Sequence, residues 1–117
     1  MQTVLVVEDD QVVRELIALS LERAGYSAVQ AFGFEEAVKL FSENRDEIFA
    51  AIIDYVLVGP DGMEVARELL AQNRSLIIVF TSALFPQHVD FGNFSLVDKP
   101  LTQQKILDAL RKAQAAG

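Results

Sequence analysis

The chain has 117 residues, 51% of them hydrophobic and 23% charged, a balance typical of one compact globular domain with a sizeable core. Its net charge of −7 disfavours direct binding to nucleic acid or to an anionic membrane, because both need a basic surface. The absence of cysteine excludes disulfides, thiolate catalysis and zinc ligation through sulfur. No apolar run approaches the roughly 20 residues of a membrane span, and the N-terminus lacks the basic start of a signal peptide. We therefore expect a cytoplasmic protein.

Strand-like and helix-like patterns alternate along the chain. Short β-branched and apolar runs predict five strands, at residues 3–7, 26–31, 50–54, 76–80 and 94–98. Apolar residues at helical spacing predict four helices, at residues 12–24, 34–41, 63–72 and 102–115. Asp10 and Thr102 are the expected N-caps of the first and last helices, and Gly25 is the expected stop of the first. Residues 84–93, broken by Pro86 and Gly92, have room for at most one short helical turn.

This alternation favours right-handed β-α-β units and a parallel sheet covered on both faces. We predict an α/β fold with a doubly wound five-stranded parallel sheet in the order 2-1-3-4-5 and a short or irregular fourth helix between strands four and five. Ligands of such sheets bind beyond the carboxyl ends of the strands, at the point where the strand order reverses. Here that point lies between strands one and three, so Glu8 and Asp9 are expected beside Asp54.

The buried run at residues 50–54 ends on a carboxylate, Asp54, and a Gly-Pro-Asp-Gly turn follows. Taken alone, an aspartate at that position could simply accept hydrogen bonds from turn amides. Three carboxylates at one edge would repel one another, however, and oxygen ligands of this kind favour magnesium, manganese or calcium. An open site with few dedicated ligands fits magnesium best, so Mg²⁺ is the expected cofactor.

Other reactive groups end the neighbouring strands. Thr81 and Ser82 follow the fourth strand, and Lys99 with Pro100 follows the fifth, across a peptide bond that proline can hold in the cis form. A carboxylate nucleophile, a divalent-metal site, a hydroxyl and an ammonium are the parts that phosphoryl transfer to an aspartate needs. The alternative is a doubly wound sheet whose strand ends are polar by chance, which the joint occurrence of these groups disfavours.

From residue 3 to about residue 113 the chain resembles the receiver domain of two-component response regulators. The matching pieces are the run VLVVEDD, Asp54 with Asp61-Gly62 after it, the Thr-Ser-Ala that ends the fourth strand, and Lys99-Pro100. The resemblance implies a flavodoxin-like receiver fold and transfer of a phosphoryl group to Asp54 from the phosphohistidine of a histidine kinase or a histidine phosphotransfer protein. A downstream effector would then respond to Mg²⁺-dependent conformational switching, and slow self-hydrolysis would end the signal.

The resemblance also implies residue roles. Asp9, Asp54 and the backbone carbonyl of Val56 would ligate Mg²⁺, and Glu8 would hold a metal-bound water. Lys99 would pair with the phosphoryl oxygens.

The switch hydroxyl is open between two neighbours, because Ser82-Ala83 and Thr81-Ser82 both read as a hydroxyl followed by a small residue. We choose Ser82 and keep Thr81 as the alternative.

The chain departs from the family pattern in several places. Val58 stands where a proline is usual, with Pro60 two residues later. Leu96 stands where the fifth strand usually carries an aromatic switch residue, so an aromatic toggle there is not expected. A subset of receivers resembles this chain in having an abbreviated fourth helix and Leu-Val before the Lys-Pro. Three phenylalanines surround the broken segment, where they either fill the place of a helix or form a docking patch: Phe85, Phe91 and Phe94. Tyr55, directly after the acceptor, either faces a partner or packs.

Two other function classes compete with a phospho-acceptor switch. A pseudo-receiver would act by protein contact alone, but the acids and the lysine that it would have lost are all present. A flavodoxin-like enzyme would want a hydroxyl-rich and glycine-rich phosphate loop after the first strand, where three acids stand, and a phosphatase would need room for a cap. We expect residues 1–117 to form a single receiver domain, either stand-alone or part of a longer regulator or hybrid kinase.

Overall fold

The computed structural model describes residues 2–57, 59 and 61–116. The strands are β1 (Thr3–Val7), β2 (Ser27–Ala31), β3 (Ile48–Asp54), β4 (Ile77–Ser82) and β5 (Ser95–Asp98). The helices are α1 (Gln11–Arg23), α2 (Phe34–Glu43), α3 (Gly62–Gln72) and α4 (Gln103–Ala116). All strand pairs are parallel and the order is β2-β1-β3-β4-β5, so the predicted fold is confirmed.

Successive strand residues alternate between two cores because side chains point to opposite faces of a sheet. One core packs against α2 and α3, and its buried strand residues are Leu5, Val7, Ala31, Ile48, Ala51, Ile53, Ile78 and Phe80. The other packs against α1 and α4 and takes its strand residues from Val4, Val6, Ala50, Ile52, Val79 and Val97. The central strands are therefore buried on both faces, as near-continuous apolar runs in parallel sheets require.

The helix ends carry the expected caps. Asp10 accepts hydrogen bonds from the amides of Val12 at 2.9 Å and Val13 at 3.2 Å, and Thr102 Oγ1 accepts one from Lys105 N at 3.1 Å. Gly25, with φ of +96°, follows the C-cap of α1 in the left-handed region that favours glycine. The caps predicted at both ends of α1 and at the start of α4 are confirmed.

Strand β4 runs two residues beyond the predicted end. The apolar pattern stops at Phe80, but Thr81 pairs with Asp54 of β3, and Ser82 pairs with Asp98 of β5. Polar residues extend the strand because their backbones still find ladder partners, Thr81 on both sides and Ser82 on the β5 side. Backbone pairing thus extends β4 to the carboxyl edge of the sheet, level with Asp54.

The connection from β4 to β5 contains turns at residues 87–88 and 92–93 and no helix, where the sequence predicts at most one short helical turn. The turn after Asp54 is described in part, since Val58 and Pro60, where the chain departs from the family pattern, lie outside the described residues. Among the helices of the described chain, none is both long enough and apolar enough to cross a membrane.

Candidate functional site

Three carboxylates meet at the carboxyl edge of the sheet. Asp54 is the last residue of β3 and is 6% exposed, while Glu8, directly after β1, is 1% exposed. Asp9 follows Glu8 and is exposed. Each of the three offers one carboxylate oxygen, and these oxygens all lie within 4.8 Å of one another. The strand order therefore brings together the acids that the sequence predicts to meet.

Lys99 reaches the same point from the end of β5. Its Nζ donates hydrogen bonds to Glu8 Oε1 at 2.9 Å and to Asp54 Oδ2 at 3.2 Å. Its backbone N–H donates to Ser82 O at 2.9 Å, and the Lys99-Pro100 peptide is cis. Burial by itself lowers the pKa of Lys99, but the hydrogen bond to Glu8 and the charge of Asp54 outweigh burial and raise it above its usual value. The side chain is therefore a fixed ammonium between two acids.

Glu8 behaves differently from an exposed glutamate. Burial raises its pKa from 4.5 to about 7, and the neighbouring Asp54 and Asp9 act in the same direction. The ammonium of Lys99 and a hydrogen bond from the amide of Asp10, at 3.2 Å, act against this shift. A positive charge entering the site near neutral pH would therefore drive a proton off Glu8.

The two hydroxyls that end β4 stand in different environments. Thr81 is in register with Asp54, so the two side chains face the same side of the sheet. Thr81 Oγ1 is buried and has no hydrogen-bond partner among the described residues. Ser82 Oγ instead donates to Leu84 O at 3.0 Å and accepts from Leu84 N at 3.3 Å. A buried hydroxyl without a partner is costly, so Thr81 is the group with an unused bond to offer on the side of Asp54.

The turn after Asp54 is held by backbone hydrogen bonds. Val56 N donates to Asp54 Oδ1 at 3.1 Å, and Tyr55 N donates to Thr81 O at 2.9 Å. Gly62 N, at the start of α3, donates to Tyr55 O at 2.8 Å. A Cβ atom built on Gly62 would lie 2.5 Å from Asp54 O and 2.7 Å from Tyr55 Cα, distances that real Cβ atoms do not tolerate. Only glycine lets α3 approach Asp54 and Tyr55 this closely.

From the sequence, Gly62 was expected only as part of the family motif, with no role of its own. The signal that could have found one is the Asp-Gly pair that opens a helix directly after a buried acidic strand end. Asp61 is the N-cap of α3 and accepts a hydrogen bond from Glu64 N at 3.0 Å, so the glycine falls at the first helical position.

The three acids suit a small divalent cation. Their oxygens converge, one of the acids is fully buried and one is exposed, and hard oxygen donors are the ligands that Mg²⁺ prefers. Exposure of Asp9 leaves room for the waters that Mg²⁺ retains. Val56, whose carbonyl is the remaining predicted ligand, lies next to the acids with its side chain 62% exposed.

Comparison with known proteins identifies the family. Residues 4–111 match the family model described as the response regulator receiver domain. A cyclic di-GMP phosphodiesterase of Thermotoga maritima is 35% identical over 118 aligned positions, which cover 93% of this chain and 31% of that protein. The transcriptional regulatory protein AfsQ1 of Streptomyces coelicolor is 33% identical over 97% of this chain and 51% of that protein. The chain thus spans about a third to a half of the length of these relatives.

Solved structures agree. The response regulator protein TrrA of Thermotoga maritima, in complex with Mg²⁺-BeF, superposes with a TM-score of 0.82 at 28% identity and covers 97% of this chain and 99% of TrrA. The chemotaxis protein CheY4 of Vibrio cholerae superposes with a TM-score of 0.89 over 97% of this chain and 98% of CheY4, and its 21% identity shows the fold alone. With a family match across nearly all of its length and an acidic site at the reversal point of the sheet, the chain belongs to the response regulator receiver domain family.

Proposed function

We propose that this receiver domain accepts a phosphoryl group on Asp54 from a phosphohistidine of a cytoplasmic histidine kinase or histidine phosphotransfer protein, and thereby switches its affinity for a downstream effector. The observation that carries the proposal is the pair of contacts from Lys99 to Glu8 and Asp54, at 2.9 and 3.2 Å. An ammonium held between two buried acids at the reversal point of a parallel sheet is arranged to meet a transferred anion. The TrrA structure contains Mg²⁺-BeF and thus supports a magnesium-dependent reaction.

The transfer is a displacement at phosphorus. A lone pair of the Asp54 carboxylate forms the new P–O bond while the P–N bond of the phosphohistidine breaks. The electron pair of that bond stays on the imidazole nitrogen, and the ring leaves neutral when its other nitrogen carries a proton. Val56 N–H, which donates to Asp54 Oδ1, orients the carboxylate before the attack. The product is a mixed carboxylic–phosphoric anhydride on Asp54.

Lys99 then changes partners. Once Asp54 is esterified its carboxylate charge is lost, and the negative charge of the site lies on the phosphoryl oxygens. The ammonium, already 3.2 Å from Asp54 Oδ2, has to move little to pair with them. Bound by Asp9, Asp54 and the Val56 carbonyl, with Glu8 acting through a water, Mg²⁺ would supply further positive charge against the same oxygens.

We assign the switch hydroxyl to Thr81, where the sequence alone favoured Ser82. Three observations support Thr81: it is in register with Asp54, its oxygen is buried, and that oxygen has no partner among the described residues. Donation to a phosphoryl oxygen would satisfy it. The hydroxyl of Ser82 already closes a local turn with Leu84.

Intact-mass measurement after incubation with acetyl phosphate and Mg²⁺ tests the acceptor. The protein should gain one phosphoryl group, Asp54→Asn should gain none, and Asp46→Asn, an exposed acid in the turn before β3, should be labelled like the wild type. Equal labelling of Asp54→Asn would overturn the assignment of Asp54 as the acceptor, and no labelling of the wild type would favour a pseudo-receiver.

Two hydroxyl variants test the switch assignment. Thr81→Val removes the hydroxyl and keeps the shape, and it should weaken the response of the rest of the domain to phosphorylation, whereas Ser82→Ala should leave that response in place. The measurement is hydrogen exchange with and without acetyl phosphate. The opposite ranking of the two variants would return the role to Ser82.

A further inference from the structure

Five aromatic rings form a continuous cluster beside the acceptor. This aromatic cluster consists of Tyr55, Phe80, Phe85, Phe91 and Phe94. Phe91 is at its centre, with ring centroids 5.1 Å from Tyr55, 5.7 Å from Phe80 and 5.3 Å from Phe85. All three of these pairs are edge-to-face, the arrangement that aromatic rings prefer. Phe91 is buried and Phe85 and Phe94 are half-buried, so the rings fill the place of a helix.

The aromatic cluster joins residues 84–93 to the turn after Asp54. Phe85 and Phe91 belong to residues 84–93, which replace a helix between β4 and β5. The hydrogen bonds that this segment makes in the described structure are local, such as Val89 N to Pro86 O at 3.5 Å and Gly92 N to Asp90 Oδ1 at 2.8 Å. The aromatic rings are therefore the main attachment of the segment to the sheet.

On the other side, the cluster holds the residue that follows the acceptor. Tyr55 N and O are fixed by Thr81 and Gly62, and the next amide, that of Val56, donates to Asp54 Oδ1. The Tyr55 ring is therefore carried by the backbone segment that orients the Asp54 carboxylate. Phe80, also in the cluster, immediately precedes Thr81, whose hydroxyl faces the same side as Asp54.

We propose that Tyr55 is a positioning residue for phosphoryl transfer, and that its packing on Phe91 couples the acceptor turn to residues 84–93. The inference rests on the proposed function, since it assumes that Asp54 is the acceptor. When the cluster is packed, the Val56 amide and the Asp54 carboxylate hold the reactive geometry; when it is loosened, both the turn and the segment are free to move. Because the coupling is between two equilibria it is reciprocal, so phosphorylation should tighten the segment.

Matched variants of the full chain separate this role from plain core packing. Tyr55→Leu and Phe91→Leu remove one ring each and keep an apolar side chain, while Tyr55→Phe keeps the ring. Phe49→Leu is the control, because Phe49 stacks on Tyr26 at 5.8 Å near the opposite edge of the sheet, away from Asp54. Phosphorylation rates are measured with acetyl phosphate and Mg²⁺, and exchange of residues 84–93 is measured with and without acetyl phosphate.

We expect Tyr55→Leu and Phe91→Leu each to slow phosphorylation by about 2- to 10-fold, the equivalent of one lost aromatic pair. Both should also abolish the slowing of exchange at residues 84–93 that phosphorylation causes in the wild type. Tyr55→Phe should keep both properties to within about twofold. Phe49→Leu should lower the melting temperature while keeping the rate and the exchange response.

Two results would overturn the proposal and leave the acceptor assignment intact. One is that Phe91→Leu is phosphorylated at the wild-type rate and keeps the wild-type exchange response. The other is equal loss in Phe49→Leu, which would mean that general stability is the cause. Failure of the wild type itself to be labelled would count against the proposed function instead. If Phe91→Leu does not fold, Phe85→Leu is the milder test, because Phe85 is half-buried and contacts both Tyr55 and Phe91.

Discussion

The two faces of the sheet are closed in different ways. On one face α1 and α4 lie side by side and cover the core with helices whose backbones bond internally. On the other face α2 and α3 do the same for part of the sheet, but over β4 and β5 residues 84–93 rely on aromatic side chains. Neighbouring residues of β5 show the difference: Val97 is 6% exposed under α4, while Leu96, in register with Phe80 on the other face, is 43% exposed.

This difference indicates where the domain can move at low cost. A helix loses its backbone hydrogen bonds when it opens, whereas a segment held by ring contacts opens by losing packing alone. Asp54, the proposed acceptor, lies between the helix-covered part of the sheet and the part covered by residues 84–93. Asp54 is bound on one side to Lys99 and is attached on the other, through Tyr55, to the aromatic cluster.

The largest effect expected from this contrast is in hydrogen exchange. Amides of residues 84–93 should exchange faster than buried amides of α1 and α4 by about a thousandfold or more, because local opening there costs far less than the several kcal/mol of global unfolding. Amides of α3, on the same face as the segment, are the internal control and should exchange slowly. Equal protection of residues 84–93 and α3 would contradict the expected difference in opening between this segment and the helices.

A second effect concerns Glu8, the buried acid that directly follows β1. Burial raises the pKa of Glu8 from 4.5 to about 7, so the folded protein binds this proton more tightly than the unfolded chain. Its contribution to stability is therefore present below pH 4.5 and is lost as the pH rises through 7. In EDTA, the wild type should lose this contribution as the pH rises, whereas Glu8→Gln has none to lose. The unfolding free energy of Glu8→Gln minus that of the wild type should therefore rise by about 2–3 kcal/mol from pH 5 to pH 8.

Urea unfolding at a series of pH values measures this gain. Glu15→Gln, an exposed acid on α1, is the control and should follow the wild-type profile. Mg²⁺ should reduce the difference between wild type and Glu8→Gln, because a cation favours the charged carboxylate. Parallel profiles of wild type and Glu8→Gln in EDTA would show that burial does not disfavour the charge on Glu8.

A third effect concerns the lifetime of the phosphoryl group. Hydrolysis needs a water in line with phosphorus, opposite the leaving aspartate. By the family resemblance, that approach is flanked by Val56 and by the residue two positions after the switch hydroxyl, which is Ala83 for Thr81 or Leu84 for Ser82. None of these side chains can hydrogen-bond a water, and a well-placed polar group is worth roughly 10²-fold in rate. The phosphorylated domain should therefore persist for many minutes and suit a phosphorelay.

Decay of the phosphorylated protein, followed by intact mass, tests this lifetime. All three positions are accessible to solvent, with Val56 62% exposed, Leu84 82% exposed and Ala83 also exposed, so variants there should fold. Val56→Asn with Ala83→Gln should speed the decay if Thr81 is the switch, and Val56→Asn with Leu84→Gln should do so if Ser82 is. A wild-type half-life of seconds would defeat the argument.

The smallest effect expected is at the contact between α3 and the acceptor turn. Gly62→Ala would place a Cβ 2.5 Å from Asp54 O, so the backbone must shift, at a cost of about 1–3 kcal/mol of unfolding free energy. Phosphorylation should slow as well, because the shifted atoms belong to the acceptor. Gly33→Ala is the control: its Cβ meets nothing within 4 Å, and it should be phosphorylated normally. Equal rates for both variants would remove Gly62 from the site.

Patterns along the chain predicted the fold and the meeting of the three acids. Apolar runs and helical stripes predicted the alternation of elements, and the reversal point of the sheet then required Glu8 and Asp9 to meet Asp54. Pro86 and Gly92 also limited the connection between β4 and β5 to at most one short helical turn. These features depend on local periodicity and on connection rules that the chain carries in its own order, so no tertiary contact was needed to predict them.

The proposal of Thr81 in place of Ser82 as the switch hydroxyl rests on tertiary structure. Neighbouring strand residues face opposite sides of the sheet, and at a polar strand end no apolar alternation shows which of them faces the acid. Only the register of β4 with β3 pairs Thr81 with Asp54.

The close approach of Gly62 and the ring contacts of Tyr55 were likewise beyond the sequence. Both depend on distances of a few ångströms between residues far apart in the chain, such as the 5.1 Å between the rings of Tyr55 and Phe91. Composition can supply the aromatic residues, but the side chains they contact are set by how β4, β5 and the segment between them pack on the sheet.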